Sequence, residues 1–311
     1  MNLGKSVLLI LSLFLLCVCL SSFGNFRWPQ PFSCPESVKV ISHEEPQFEN
    51  PISQLATERQ FSSPKFKYWC DELHESLRMH RKLWEYCYVM EVLDHFQMLL
   101  PGRKALGFGV GKEPIPALLA KFGISVLASD QDFKAAQEQG WASSDQYTQE
   151  QAALNSRGIC DPKQFEKLAH LTTIDMNHIP ESEEGKFDIV WSCCSLEHLG
   201  SIEAGLEFIK NSVKCLKPGG IAVHTTEFNL SSNQHTLFNG GTVLFRQQDI
   251  LRVACELSKM GYHVIDLNFN PGSGVLDRYV DLPPYSNDQH VKLQIENYHC
   301  TSIGIVVCKP R

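Results

Sequence analysis

A doubly wound α/β sheet, mostly parallel, with helices on both faces and an antiparallel last strand, is the fold this sequence predicts. Three observations carry that prediction. Apolar runs of strand length alternate with amphipathic stretches of helix length from about residue 100 onward, the rhythm of a parallel sheet with crossover helices. The first of these strands ends in a glycine cluster, Gly107-Phe108-Gly109-Val110-Gly111, that leads into a helix. The last two apolar runs, HVIDLNF and TSIGIVVC, are joined by a long polar stretch without helical periodicity, which permits an antiparallel final pair. The architecture is therefore Rossmann-like.

The chain has 311 residues, 43% of them hydrophobic and 20% charged, which is the composition of a globular protein rather than of a disordered one. Its formal net charge of -7 argues against a general nucleic-acid binder, which needs a basic surface. Residues 1–28 stand apart. Lys5 precedes an uncharged apolar run from Ser6 to about Phe26, with Arg27 and Trp28 just beyond it. A run of about 18 or more apolar residues is long enough to cross a bilayer. The segment reads as an uncleaved, single-pass membrane anchor, with a cleaved signal peptide as the alternative. Residues 29–64, rich in Pro, Ser, Gln and Glu and aperiodic, read as a linker, and residues 65–311 as one folded domain.

Within that domain each element has its own signal. Trp69, Leu73, Leu77, Leu83, Tyr86, Val89, Met90 and Leu93 recur at helical spacing from Lys65 to about Leu100, where Pro101-Gly102 ends the run. KALGFGV is a strand and PIPALLAKF a helix; ISVLASD is a strand and DFKAAQEQG a short helix. DPKQFEKLAH opens with an Asp N-cap and a Pro in its first turn. LTTIDM and the wholly apolar FDIVWSC follow as strands, the second suited to burial on both faces. The amphipathic IEAGLEFIKNSVKCL, the turn KPGG, the strand IAVHTTEF and the helix QDILRVACELSKMGY complete the alternation.

The glycine loop allows close approach of a ligand, and the helix behind it offers free N–H groups to an anion. Asp130 ends the next strand, about 20 residues on, where a carboxylate can accept both hydroxyls of a ribose. Its competing role is an N-cap for the DFKAAQEQG helix, shared with Asp132. The spacing G-x-G-x-x-G fails, because Lys112 and Pro114 occupy the positions a third glycine would need, so a dinucleotide fits less well than a smaller ligand.

These motifs resemble those of class I S-adenosylmethionine-dependent methyltransferases, close to the small-molecule group called type 11. The resemblance covers about residues 100–230: ALGFGVG as cofactor loop, SVLASD as ribose acid, Asp175-Met176 at the adenine edge, FDIVWSCCSLEHLG as fourth strand and turn, and LKPGGIAVHTTEFN as fifth strand. It implies S-adenosyl-L-methionine as cofactor, held by Gly107, Phe108, Gly109, Gly111, Glu113, Asp130, Asp175, Met176 and Ser195. The family's acid two residues before the first loop glycine is replaced here by Ala105, and Glu113 or the loop carbonyls are the candidates to act in its place.

Catalytic candidates lie beyond the carboxyl ends of the strands. His198 is the first choice as general base or substrate contact, with Glu197 orienting it or binding the methionine ammonium; Glu227 and His224, at the end of the fifth strand, are the others. Trp69, His74, His80, Arg81 and Trp84 on the preceding helix, and Tyr279, Pro283, Pro284 and Tyr285 in a late loop, are further candidates to line the pocket. No tight metal-ligand spacing is present, so no metal is expected. The acceptor is expected to be a small molecule, a sugar or a lipid-linked compound. The rivals are a non-catalytic S-adenosylmethionine-binding protein and an NAD(P)-dependent oxidoreductase. Cysteines placed inside predicted strands and helices, among them Cys194, Cys215, Cys255 and Cys308, point to a reduced interior and a body facing the cytoplasm. A secreted or lumenal body is the alternative.

Overall fold

The computed structural model describes residues 38–311 apart from 42, 144–145 and 287. The expected anchor, residues 1–28, lies outside the described residues. Among the described residues no helix is long and apolar enough to cross a membrane.

The expected linker, from residue 38 on, is built into the body. β1 (Val40–Ile41) and β2 (Ser53–Gln54) pair in parallel with β10 (Leu267–Asn268) as a small separate sheet. Phe48, Leu55 and Ala56 are fully buried. The one-turn helix α1 (Glu58–Phe61) leads into α2 (Pro64–Glu72), whose N-cap Ser63 accepts from the N–H groups of Lys65 and Phe66. Much of this strap is held by backbone and amide hydrogen bonds, which leave no periodic apolar signature.

The single helix expected over 65–100 is two. α2 ends before His74, whose φ of +53° turns the chain. The short β3 (Met79–His80) pairs with β11 (Gln289–His290), and only then does α3 (Arg81–His95) begin. His80 Nδ1 caps it, accepting from the Lys82 N–H at 3.0 Å.

The alternation then follows as expected: β4 (Lys104–Phe108), α4 (Ile115–Lys121), β5 (Ser125–Asp130), α5 (Phe133–Glu138), α6 (Pro162–Leu168), β6 (Ala169–Thr173), β7 (Phe187–Cys193), α7 (Ile202–Ser212), β8 (Leu216–Asn229) and α8 (Gln247–Lys259). Asp161 caps α6 through the Gln164 N–H with Pro162 in the first turn, as its sequence predicts. HVIDLNF splits into β9 (His263–Val264) and β10, because Asp266 turns the chain away to the strap sheet. The polar return is not featureless: it holds α9 (Val275–Arg278), β11 and β12 (Leu293–Ile295) before β13 (Tyr298–Cys308).

The main sheet runs β12-β13-β8-β7-β4-β5-β6. β6, β5, β4, β7 and β8 are mutually parallel, and β13 is antiparallel to β8 along nine register pairs, Cys300↔Asn229 to Cys308↔Ile221. One core layer joins α2, α3 and α4 to the sheet through Trp69, Trp84, Tyr88, Leu118 and Trp191. The other joins α7 and α8 through Phe208, Ile209, Val253 and Leu257. The strand order reverses between β4 and β7, so their carboxyl ends open the crevice where such sheets bind ligands.

Among the described residues eight cysteines are free, six of them buried, in keeping with a reduced interior. Cys255 departs from that expectation: it is disulfide-bonded.

Candidate active site

A cavity of about 970 Å³ opens at the carboxyl ends of β4, β5, β6 and β7. One end is shaped by the glycine loop. Gly109 and Gly111 have φ of +59° and +50°, a region that side chains rarely occupy. A Cβ on Gly109 would stand 2.6 Å from Ser195 Cβ, and one on Gly111 only 1.9 Å from the Gln146 carbonyl oxygen. Asp130 anchors the loop. Its Oδ2 accepts from the Gly111 N–H at 2.9 Å and its Oδ1 from the Gln131 N–H at 2.8 Å. Burial pushes its pKa up, and the two N–H groups counteract that. Helix α5 is capped by Asp132 instead, through the N–H groups of Lys134 and Ala135, which leaves Asp130 to the cavity. Asp175 and Met176 line the same end beside Thr173, Ile174 and Asn177.

Of the residues the resemblance assigns to the cofactor, Gly109, Gly111, Glu113, Asp130, Asp175, Met176 and Ser195 line the cavity. Gly107 and Phe108 do not. Strand alternation turns Phe108 to the far face, edge-on to Phe208 at 5.2 Å. Gly107 instead makes room for Trp191, whose ring would stand 2.3 Å from a Cβ there.

Glu113, Lys82, Tyr86, Cys193 and Cys194 line the cavity as well. Glu113 is 4% exposed and accepts from Trp191 Nε1 at 2.5 Å. Burial raises its pKa to about 8. Lys82 Nζ donates to the Cys193 carbonyl at 3.2 Å and pairs with Glu85, also at 3.2 Å, which holds its pKa well up despite burial.

Of the four catalytic candidates, only His198 lines the cavity. Its Nδ1 stands 2.7 Å from the Gly241 carbonyl, which can only accept, so Nδ1 carries the proton and the lone pair is at Nε2. Trp141 packs against the ring at 4.7 Å. Glu197 is fully buried behind it: Oε2 accepts from Thr226 Oγ1 at 2.9 Å, while Oε1 has no hydrogen bond and lies 3.9 Å from His198 Nε2. Burial raises the Glu197 pKa.

His224 is corrected to a core residue. Register pairs it with Ser192, whose Oγ lies 2.8 Å from Nδ1, and Ser212 Oγ lies 2.9 Å from Nε2. Burial lowers its pKa to about 3, so it is neutral. Glu227 is likewise away from the cavity, ion-paired with Arg81 in a buried network with Glu85, Cys194 and Ser302.

The helix candidates are structural as well. Trp69 and Trp84 are buried, donating to Glu91 and Gln60. His74 meets the Arg157 carbonyl, and His80 packs on His290. Neither these residues, nor Arg81, nor Tyr279, Pro283, Pro284 and Tyr285 line the cavity. Sequence reasoning missed Lys82 and Tyr86 on α3, and Trp141, Gln146 and Tyr147 across the opening. The four-residue spacing of Lys82 and Tyr86 was a usable signal; the 141–147 stretch carries no periodicity. Among the described residues no group of three His, Cys, Asp or Glu is placed to hold a metal ion.

Residues 106–224 match the sequence profile of a family described as Methyltransferase domain. No curated protein matches the chain. Among solved structures, the chain is similar to a 1,6-didemethyltoxoflavin-N1-methyltransferase of Burkholderia thailandensis with bound 1,6-didemethyltoxoflavin and S-adenosylhomocysteine, at 14% identity over 72% of this chain and 76% of that one, with a TM-score of 0.45. It is similar to phosphoethanolamine N-methyltransferase 2 of Haemonchus contortus in complex with S-adenosyl-L-methionine, at 14% identity over 79% and 57% of the two chains, with a TM-score of 0.44. A third, from Galdieria sulphuraria and named for sarcosine dimethylglycine methyl transfer, shows 18% identity and a TM-score of 0.33. This chain matches it over 46% of its own residues and spans 45% of that protein's length.

Proposed function

We infer that this chain, whose residues 106–224 are a methyltransferase domain of the class I S-adenosylmethionine-dependent type, transfers methyl groups to a small-molecule or lipid-linked acceptor. One observation carries the reading. Within the matched stretch, the glycine loop, Asp130, Asp175-Met176 and Ser195 come from four strand ends and line a single cavity. The cradle fits the cofactor: the two loop glycines leave the space that side chains would fill, and Asp130 stands fixed at the cavity edge. The cavity volume, about 970 Å³, leaves room for an acceptor beside it.

When bound, S-adenosylmethionine supplies an electrophilic methyl group. The chain's own contribution is to hold the reactants in line and to take up the acceptor's proton. His198 is placed to receive that proton, because the Gly241 carbonyl fixes its tautomer and leaves Nε2 as the basic nitrogen. A proton taken there meets the unpaired Glu197 Oε1, 3.9 Å away, which stabilises the imidazolium. His198→Asn is expected to lower kcat by about 100-fold with cofactor affinity kept; a normal kcat removes His198 as base. The replacement of the strand acid by Ala105 favours the second reading, a non-catalytic cofactor-binding protein. Incubating the full chain with labelled S-adenosylmethionine and fractionated lysate separates the two. Label entering a compound supports transfer, whereas tight cofactor binding without transfer supports the second reading.

We read residues 1–28 as a membrane anchor and the body as cytoplasmic. The uncharged run of residues 6–26 and the eight free cysteines among the described residues support this. So does the grouping of exposed Val275, Tyr279, Leu282 and Tyr285 within one stretch. That stretch begins just after Ser273, which bonds Glu45 near the first described residues. The disulfide at Cys255 is the observation against it, so peptide mapping of the unreduced native protein is the test. A native Cys255 disulfide moves the body to an oxidising compartment.

A further inference from the structure

An α-amino acid group carries a carboxylate and an ammonium on one carbon, so a site that selects it must present both signs within a few ångströms. With Ala105 on β4 buried and apolar, the anionic partner has to come from elsewhere, and Glu113 is a buried carboxyl that lines the cavity. The cationic partner is on α3.

Two anchor points place these groups together. Glu113 accepts from the indole of Trp191, and Lys82 Nζ donates to the backbone oxygen of Cys193, two residues further along β7. Both side chains line the cavity. Tyr86 follows Lys82 by one helical turn, so the two share a face of α3, and Lys82 Nζ stands 5.8 Å from the Tyr86 ring centroid. Lys82 has three N–H donors. The Cys193 carbonyl takes one, and Glu85 stands beside the ammonium as an ion pair without a hydrogen bond, so the ammonium keeps N–H donors for a ligand. The Tyr86 hydroxyl has no hydrogen-bond partner among the described residues, although the side chain lines the cavity. An uncommitted ammonium N–H and an uncommitted O–H on adjacent turns make a two-point donor for a carboxylate.

We propose that Lys82 and Tyr86 clip the carboxylate of the methionine end of S-adenosylmethionine, opposite Glu113, which takes its ammonium. This rests on the methyltransferase reading. Here α3, outside the matched stretch, supplies part of the cofactor site and closes it on the side where β4 lacks an acid.

Calorimetry on the full chain, without acceptor, tests it with two probes: S-adenosylhomocysteine, which has the amino-acid end, and methylthioadenosine, which lacks it. Lys82→Met is expected to weaken S-adenosylhomocysteine roughly 10- to 100-fold, the loss of a charge-assisted hydrogen bond, and Tyr86→Phe about 3- to 10-fold. Methylthioadenosine affinity stays unchanged in both, which also shows that the variants are folded. Unchanged S-adenosylhomocysteine affinity in both variants overturns the clip, as does equal loss of both probes in both variants. Failure of the wild-type chain to bind either probe overturns the methyltransferase reading itself, and so is distinguishable from failure of the clip.

Discussion

At the scale of single residues, protonation divides the site. Glu113 is held mainly neutral at pH 7 by burial, against the pull of the Trp191 indole, Lys82 and the Cys193 thiol, with Glu85 adding repulsion. An ammonium partner needs the carboxylate. Cofactor affinity should therefore rise with pH up to about 8, by as much as about tenfold per pH unit below it. Calorimetry across this range checks it, and Glu113→Gln should bind weakly with a flat profile. The same shift acts on stability with the opposite sense. The folded chain holds this proton more tightly than the unfolded one, so the contribution is complete below the ordinary carboxylate range and lost as pH rises through about 8. His224 shows the reverse sign. Its folded pKa of about 3 lies below the ordinary value of 6.5, so its contribution is present above that value and lost as pH falls through about 3. Since His224 only bridges Ser192 and Ser212, His224→Ala should destabilise by about 2–4 kcal/mol, through cavity and unpaired hydroxyls, while kcat of the folded fraction is kept. Thermal melts and turnover measured together check this. In the sequence His198 and His224 look alike, polar residues near strand ends. The register Ser192↔His224 buries one, and the Gly241 carbonyl, with the Thr242 hydroxyl beside it, orients the other from a distant loop.

At the scale of elements, the strands were legible because their apolar runs are short and punctuated, and the α6 cap because Asp161 and Pro162 act locally. The breaks were not. His74 ends α2 with no glycine to mark the turn, and β3 exists only because Gln289–His290 returns to pair with it. The glycine loop was legible as a loop, but its closure was not. Gln146 comes down on Gly111 from the segment between α5 and α6, which has no pattern to read. That contact yields a prediction. In Gly111→Ala the Cβ would lie 1.9 Å from the Gln146 carbonyl at a φ of +50°, so the loop and the segment above it must separate. The Gly111 N–H then leaves Asp130. Cofactor affinity should fall by more than about tenfold, in line with a lost hydrogen bond to a charged group, while far-UV circular dichroism stays native. Retained affinity would mean the loop does not need this geometry.

At the scale of the whole molecule, the strap over residues 38–64 decides whether the body is complete. The matched domain begins at residue 106, and composition alone places the strap outside the fold. Its contacts say otherwise. Tyr88 donates to the Ile52 carbonyl at 2.5 Å, Trp84 Nε1 to Gln60 at 2.8 Å, and Lys292 Nζ to the Ala56 carbonyl at 2.9 Å. Ser53 bonds Ile265 and Val306, tying the strap to β13 and the chain beside it. Lys292 is 1% exposed, and burial lowers its pKa to about 8 despite Asp277. A chain beginning at Lys65 would leave an indole, a phenol and a buried ammonium short of acceptors. Each such loss costs about 1–3 kcal/mol, before the apolar surface uncovered by Phe48, Leu55 and Ala56 is counted. Against a total stability of about 5–15 kcal/mol, these losses together are enough to unfold the body. The expected outcome is that the Lys65 chain is recovered only as aggregate. Phe48→Ala in the full chain should stay soluble with a thermal midpoint lowered by about 5 °C or more, the size of a buried aromatic truncation in a domain of this length. A soluble, cooperatively melting Lys65 chain would return the strap to the role of a linker. It would also free α3, and with it Lys82 and Tyr86, from any dependence on the chain that precedes it.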